Sequence, residues 1–136
     1  MATNNKSEFK YLDWDLPTAA NKVTEGFPTQ TLKDVQEILN LSKREFADII
    51  QISERTLSRR QKESVLPTDE SDRVFRIARL VAFAKVVLGS EEEAREWMKE
   101  PNFALGNCTP LQLAKTDPGA ELVEQLLGRI DHGIPV

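Results

Sequence analysis

Residues 42–62, SKREFADIIQISERTLSRRQK, constrain the fold more than any other stretch of the chain. Ser42 and Glu45 stand at capping-box spacing, in which each side chain accepts from the other's orphan N–H, so a helix is predicted to begin after Ser42. Phe46, Ala47, Ile49 and Ile50 give that helix one apolar face. It must stop at the corner Gln51-Ile52-Ser53, because Ser53 is placed to cap a second helix with Glu54 in its positively polarised first turn. Two helices can cross closely only over a small residue; Ala47 supplies it, Ile52 plugs the space between them, and Leu57 anchors the second helix inward. The pattern is that of a helix-turn-helix.

Charge shows what such a motif could touch. The net charge of −4 argues against a polyanionic partner only if it is taken as one number. Residues 43–62 carry six Lys/Arg against three Asp/Glu, a balance of +3, whereas residues 89–136 carry four against nine, a balance of −5. A basic module joined to an acidic one predicts two different partners, since phosphate backbones attract the first and repel the second. In a groove-reading helix the first turns meet base edges and the flanks meet phosphate. Arg55, Thr56 and Arg59 are therefore the expected base readers, Ser53, Arg60 and Lys62 the expected phosphate contacts, and Ser58 suits either role.

The rest of the chain divides around this motif. Residues 1–30 read as an N-terminal arm. Phe9, Tyr11, Leu12, Trp14 and Leu16 should pack on the body or serve self-association, and residues 18–24 suit a short helix. Leu32, Val35, Ile38 and Leu39 stripe a helix closed by Asn40 and Leu41, within a DNA-binding region of residues 31–68. Pro67 breaks the chain, and Thr68 or Asp69 should cap a long helix over 69–88 that is apolar almost all round, a strut shared by both halves. Arg73, Arg76 and Arg79 form its polar stripe, suited to surface ion pairs or to an extension of the DNA contact.

Residues 69–136 form the C-terminal helical module. Gly89 ends the long helix and Ser90 caps the next, whose Ala94, Trp97 and Met98 face inward. After a turn from Pro101 to Asn107, Thr109-Pro110 starts a short helix packed by Leu111 and Leu113, and Asp117-Pro118 repeats the cap-and-proline device. Leu122, Val123, Leu126, Leu127 and Ile130 stripe the last helix, and Gly133 and Pro135 leave a short projecting tail. Cys108 reads as a small buried residue. With one cysteine and one histidine there is no internal disulfide and no convincing zinc ligand set. No constellation of acid, base and nucleophile stands out, so neither an enzyme nor a cofactor is expected. No run approaches a membrane span of roughly 18 apolar residues, and the polar start lacks a signal-peptide core, so a cytoplasmic protein without membrane contact is expected.

Several segments together resemble a known family. They are Thr56-Leu57-Ser58-Arg59-Arg60, Ser71-Asp72-Arg73-Val74, the Gly89 break and Ala94-x-x-Trp97-Met98. Pro101-Asn102, Leu105-Gly106-x-x-Thr109-Pro110, Gly119 with Val123, and Leu127-Gly128-Arg129-Ile130-x-His132-Gly133-Ile134 complete the set. This set, spread over residues 31–136, is similar to the Xre/MbcA/ParS antitoxins, and its C-terminal half is the more specific part. The resemblance implies an antitoxin of a type II toxin–antitoxin system. Its partner would be a cognate RES-domain toxin that consumes NAD or uses it for ADP-ribosylation, and the antitoxin's C-terminal end would cover the toxin's active site. It also implies repression of the antitoxin's own operon. Arg129, His132, Gly133, Ile134 and Val136 would lie nearest the toxin; taken alone, His132 reads as a solvated or capping side chain.

The expected fold is all-α: an N-terminal Xre-like helix-turn-helix bundle linked by the long helix to a C-terminal toxin-binding module. A homodimer within a hetero-oligomeric toxin–antitoxin complex is expected, since palindromic operator DNA matches a two-fold protein. Two alternatives remain open at this level: a toxin-blocking protein whose helix-turn-helix does not bind DNA, and a ligand-sensing phage-type repressor.

Overall fold

A 21-residue helix, Thr68–Leu88, runs through the middle of the structure and is packed on nearly all sides. The computed structural model describes residues 14–133. Among them the order is α1 (Leu16–Glu25), α2 (Gln30–Leu39), α3 (Lys43–Ile50), α4 (Glu54–Arg60), α5 (Thr68–Leu88), α6 (Glu91–Lys99), a 3-10 turn (Phe103–Leu105), α7 (Pro110–Leu113) and α8 (Asp117–Asp131), with no strand. The fold is all-α, as expected. Helix α5 is the shared strut: α1, α2 and α3 pack on it from one half of the chain, α6 and α8 from the other. One core runs through both halves, from Leu32, Leu39, Phe46 and Leu57 through Val74, Ile77 and Val81 to Met98, Val123 and Leu127.

The local rules act where the sequence placed them. Ser42 Oγ accepts from Glu45 N at 3.1 Å while Ser42 N donates to Glu45 Oε1 at 2.9 Å, closing the capping box. Gln51 ends α3 in the left-handed region at φ 61°, which turns the chain into the corner. Ser53 Oγ accepts from Thr56 N at 2.9 Å and starts α4. Gly89, at φ 102°, ends α5, and Ser90 caps α6.

Four details differ from expectation. Helix α5 begins after Pro67 with no side-chain cap; the Thr68 hydroxyl instead donates to the Thr24 carbonyl at 3.1 Å and ties the strut to α1. Helix α8 is capped by Thr116, one residue before the expected Asp117, through a bond from Gly119 N at 3.1 Å. That shift serves close packing, since a Cβ at Gly119 would fall 1.9 Å from the Leu113 carbonyl oxygen of α7. Leu122 is 52% exposed, because α8 presents Gly119, Ala120, Val123, Leu126 and Leu127 to the body and turns Leu122 away. Cys108 is exposed as well, on the outer side of the loop before α7.

The stretch read as an arm becomes a helix at Leu16 and lies along α5. Trp14 stacks with Phe75 at 6.1 Å between ring centroids and meets Phe27 edge-on at 6.0 Å, so this aromatic joins the body. Phe9, Tyr11 and Leu12 lie outside the described residues. The link after α1 is fixed by Gly26 at φ 95°, by Phe27 N donating to the buried Ser71 Oγ at 2.8 Å, and by Leu66 N donating to the Phe27 carbonyl at 2.8 Å.

Cations from the C-terminal module close the seam between the halves. Arg95 Nε donates to the Ile38 carbonyl at 2.8 Å, and Lys99 Nζ to those of Leu39 and Asn40, both at 3.1 Å, so α6 satisfies the negative end of α2. Lys115 pairs with Asp48 of α3 at 2.9 Å, and the bond holds that carboxylate below its usual pKa. Its contribution is therefore present at neutral pH and lost as pH falls through the lowered value. Arg73, Arg76 and Arg79 form ion pairs with Asp69, with Asp72 and Asp117, and with Glu124 respectively.

One ion pair fixes α4 to the strut. Glu70 accepts from Arg60 Nε at 2.7 Å and from Nη2 at 2.8 Å, and the two side chains are only 9% and 14% exposed. The Glu70 bonds push the already basic guanidinium further up in pKa. Glu70→Ala should lower stability in urea unfolding by about 3 kcal/mol, since it strands a nearly buried cation, whereas the apolar pair Arg60→Met with Glu70→Leu should cost far less. Lys99→Met should cost about 1 kcal/mol in the same measurement, by orphaning the carbonyls at the end of α2.

Candidate functional site

The outer face of α4 follows from its two inward residues. Leu57 is fully buried, and Arg60 lies one turn on, toward the same side. Arg55, Ser58 and Arg59 fall at i, i+3 and i+4 on the opposite side, where both arginines are exposed. Lys62 is exposed just beyond the helix. Arg60 is thereby corrected: it was expected on phosphate, but its guanidinium is held by Glu70, with Glu63 a third carboxylate oxygen at 3.4 Å. Its wheel position beside Leu57 was a signal the sequence carried.

The hydroxyls are partly engaged. Ser53 Oγ accepts from Thr56 N and donates to Thr56 Oγ1, both at 2.9 Å, which fixes Thr56 at the first turn with its O–H and one lone pair still uncommitted to that bond. Lys43 Nζ donates to Ser58 Oγ. Lys43 and Arg44 are both exposed at the start of α3, beside α4. The sequence reading had counted these two only as charge. The face that results joins Arg55, Arg59, Lys62, Lys43 and Arg44 around a short, rigid helix: a cationic surface suited to a polyanion.

The other expected site lies at the end of α8. Arg129 is exposed in the last turn. His132 caps the helix: its backbone N–H donates to the Gly128 carbonyl at 3.1 Å, and its ring Nδ1 lies 2.8 Å from the same oxygen. A carbonyl can only accept, so Nδ1 carries a proton, and Nε2 is left as an acceptor when the ring is neutral. Gly133 turns the chain at φ 71°. Ile134 and Val136 lie outside the described residues. Leu122, Gln125, Arg129 and His132, at i, i+3, i+7 and i+10, make one exposed stripe along α8.

Other chemistry finds little footing among the described residues. No group of His, Cys, Asp and Glu there is arranged to hold a metal ion, and no helix is long and apolar enough to cross a membrane. A groove of about 530 Å³ is lined by Thr29, Gln30, Lys33, Gln36, Glu37 and Asn40, with Leu41 as its apolar member. An apolar effector pocket of the kind a small-molecule sensor uses has a different lining.

Comparison with known proteins covers almost the whole described chain. Residues 19–79 match the antitoxin Xre-like helix-turn-helix domain, and residues 84–133 match the antitoxin Xre/MbcA/ParS C-terminal toxin-binding domain. The chain is similar to the antitoxin Xre of Pseudomonas putida, 34% identical over 126 residues, covering 88% of this chain and 78% of that protein. It is likewise similar to the antitoxin Xre of Photorhabdus laumondii, 34% identical over 114 residues, covering 82% and 77% respectively. Among solved structures it resembles a chain of the M. tuberculosis MbcT–MbcA toxin–antitoxin complex. There the TM-score is 0.61 and the identity 28%, with 79% of this chain and 96% of that one covered.

Proposed function

The chain belongs to the Xre/MbcA/ParS antitoxin family, and from that premise we propose that it neutralises a RES-fold toxin and represses its own operon. The observation that carries the reading is the pairing of two matched domains with two surfaces of opposite charge in one packed body. The toxin-binding domain spans residues 84–133, in the acidic half, and includes Arg129, His132 and Gly133 at its far end.

Inhibition in this reading is occlusion. The toxin consumes NAD or transfers its ADP-ribose, so its site must accept a pyrophosphate and is expected to be cationic. An acidic module is drawn to such a mouth and steered onto it. The end of α8 then sits over the entrance, with Arg129 and the His132 ring as polar contacts and residues 134–136 as the segment nearest the reacting groups. The antitoxin itself performs no catalysis; it withholds the site from NAD.

Repression uses the other face. Helix α4 enters a major groove with Arg55, Thr56 and Arg59 toward base edges, and Ser53, Ser58 and Lys62 toward phosphate or groove edge, with Lys43 and Arg44 adding charge at the flank. A homodimer places two such helices on an operator palindrome. The Glu70 clamp on Arg60 supports this reading indirectly, since it keeps the helix at a fixed angle to the body, as a reader of base edges requires.

Two measurements test the two halves separately. In gel-shift titrations at moderate salt, Arg55→Ala or Arg59→Ala should each weaken operator binding by about 1 to 3 kcal/mol, and unchanged binding would remove the groove assignment. Deleting residues 131–136 should weaken inhibition of NAD consumption by the cognate RES-fold toxin and leave operator affinity nearly intact. Equal inhibition by the shortened chain would overturn the occlusion model.

A further inference from the structure

Phe103 is 89% exposed, the most open of the large apolar side chains among the described residues. It is held there by a rigid frame. Asn102 N donates to the Cys108 carbonyl at 3.0 Å, and Leu105 N and Asn107 N both donate to the Asn102 carbonyl at 2.9 Å. The Asn102 side chain accepts from Ala104 N at 2.9 Å, and Gly106 and Asn107 both take left-handed conformations, at φ 70° and 66°. Leu105 turns inward against the core and pins the loop, which leaves the Phe103 ring projecting from a preorganised 3-10 turn.

The surroundings are as unusual as the ring. Residues 101–114 carry no charged side chain, in a chain that is 29% charged. Pro101, Phe103, Ala104, Gly106 and Cys108 are exposed, so burying the loop itself desolvates no charged side chain of its own. Charge-depleted centres with a rigid aromatic anchor are the features that separate the energetic core of a protein interface from its rim. We infer that the loop of residues 101–108 is a second docking point for the toxin, with the Phe103 ring entering an apolar recess on the toxin surface away from the NAD site.

This rests on the antitoxin reading above, and the choice of occupant follows from two observations. The loop lies within residues 84–133, the stretch that matches a toxin-binding domain. A second copy of this chain is a poorer fit, because a two-fold contact must supply its own recess. Three grooves among the described residues each carry charge: Lys33 and Glu37 in one, Glu45, Asp48 and Lys99 in another, Arg79 and Glu124 in a third.

The test uses the full chain and its cognate RES-fold toxin, followed by biosensor kinetics. Phe103→Ala should weaken binding about tenfold or more, mainly through faster dissociation, while melting temperature and operator binding stay at the unaltered values. Phe103→Tyr should restore most of the affinity, and Leu16→Ala, which trims another widely exposed residue on α1, should leave it unchanged. Unaltered toxin affinity in Phe103→Ala overturns this inference and leaves the antitoxin reading standing. Failure of the unaltered chain to bind the toxin overturns both. If Phe103→Ala breaks self-association in sedimentation but keeps its toxin affinity, the loop belongs to a second copy, and the inference is overturned.

Discussion

The bidentate contact between Arg60 and Glu70 sets the position of α4, the helix whose outer face carries Arg55 and Arg59. Helix α4 has seven residues and one fully buried anchor, Leu57, so apolar packing alone would hold it loosely. A nearly buried ion pair gains little net stability over an apolar pair, yet its two parallel bonds fix direction. Direction is what the proposed operator contact would need: Arg55 and Arg59 keep a constant orientation to a partner only if the helix beneath them does not roll.

The same logic extends along α5. Its almost continuous apolar surface lets five helices use it as a common wall, and the polar stripe that remains is spent on ion pairs to Asp69, Asp72, Asp117 and Glu124. Across the seam, Arg95 and Lys99 satisfy carbonyls at the end of α2, and Lys115 holds Asp48. The acidic half thus lends its few cations to the basic half. Its outer surface is left with Glu92, Glu93, Glu96, Glu100, Glu121 and Glu124 exposed, which deepens the electrical polarity already present in the charge count. One rigid body then displays two faces suited to two ligands of opposite charge.

Local rules make much of this legible in the sequence. The Ser42–Glu45 capping box, the Ser53 and Ser90 caps, the Gly89 stop and the Thr109-Pro110 start are set by neighbours three or four residues away, so spacing alone reveals them. What escaped was decided at longer range. Arg60 looked like another surface arginine because Glu70 lies ten residues on, in a different helix. Leu122 fitted the apolar stripe of α8 by period, but the face that meets the body runs through Gly119, Ala120, Val123, Leu126 and Leu127 and leaves it outside. Thr68, an expected cap, instead reaches across to Thr24, and Thr116 takes the capping role expected of Asp117. The exposure of Phe103 left no trace in periodicity, since a 3-10 turn of three residues has none to read.

Whether the two faces are separate sites on one body is decided by a single titration. Operator duplex is added, in an analytical ultracentrifuge cell, to the chain already saturated with its toxin. Independent faces predict a ternary species, with operator affinity within about threefold of that of the antitoxin alone. Displacement of the toxin by the duplex, or a toxin-bound chain that no longer takes up DNA at any accessible concentration, would contradict the account.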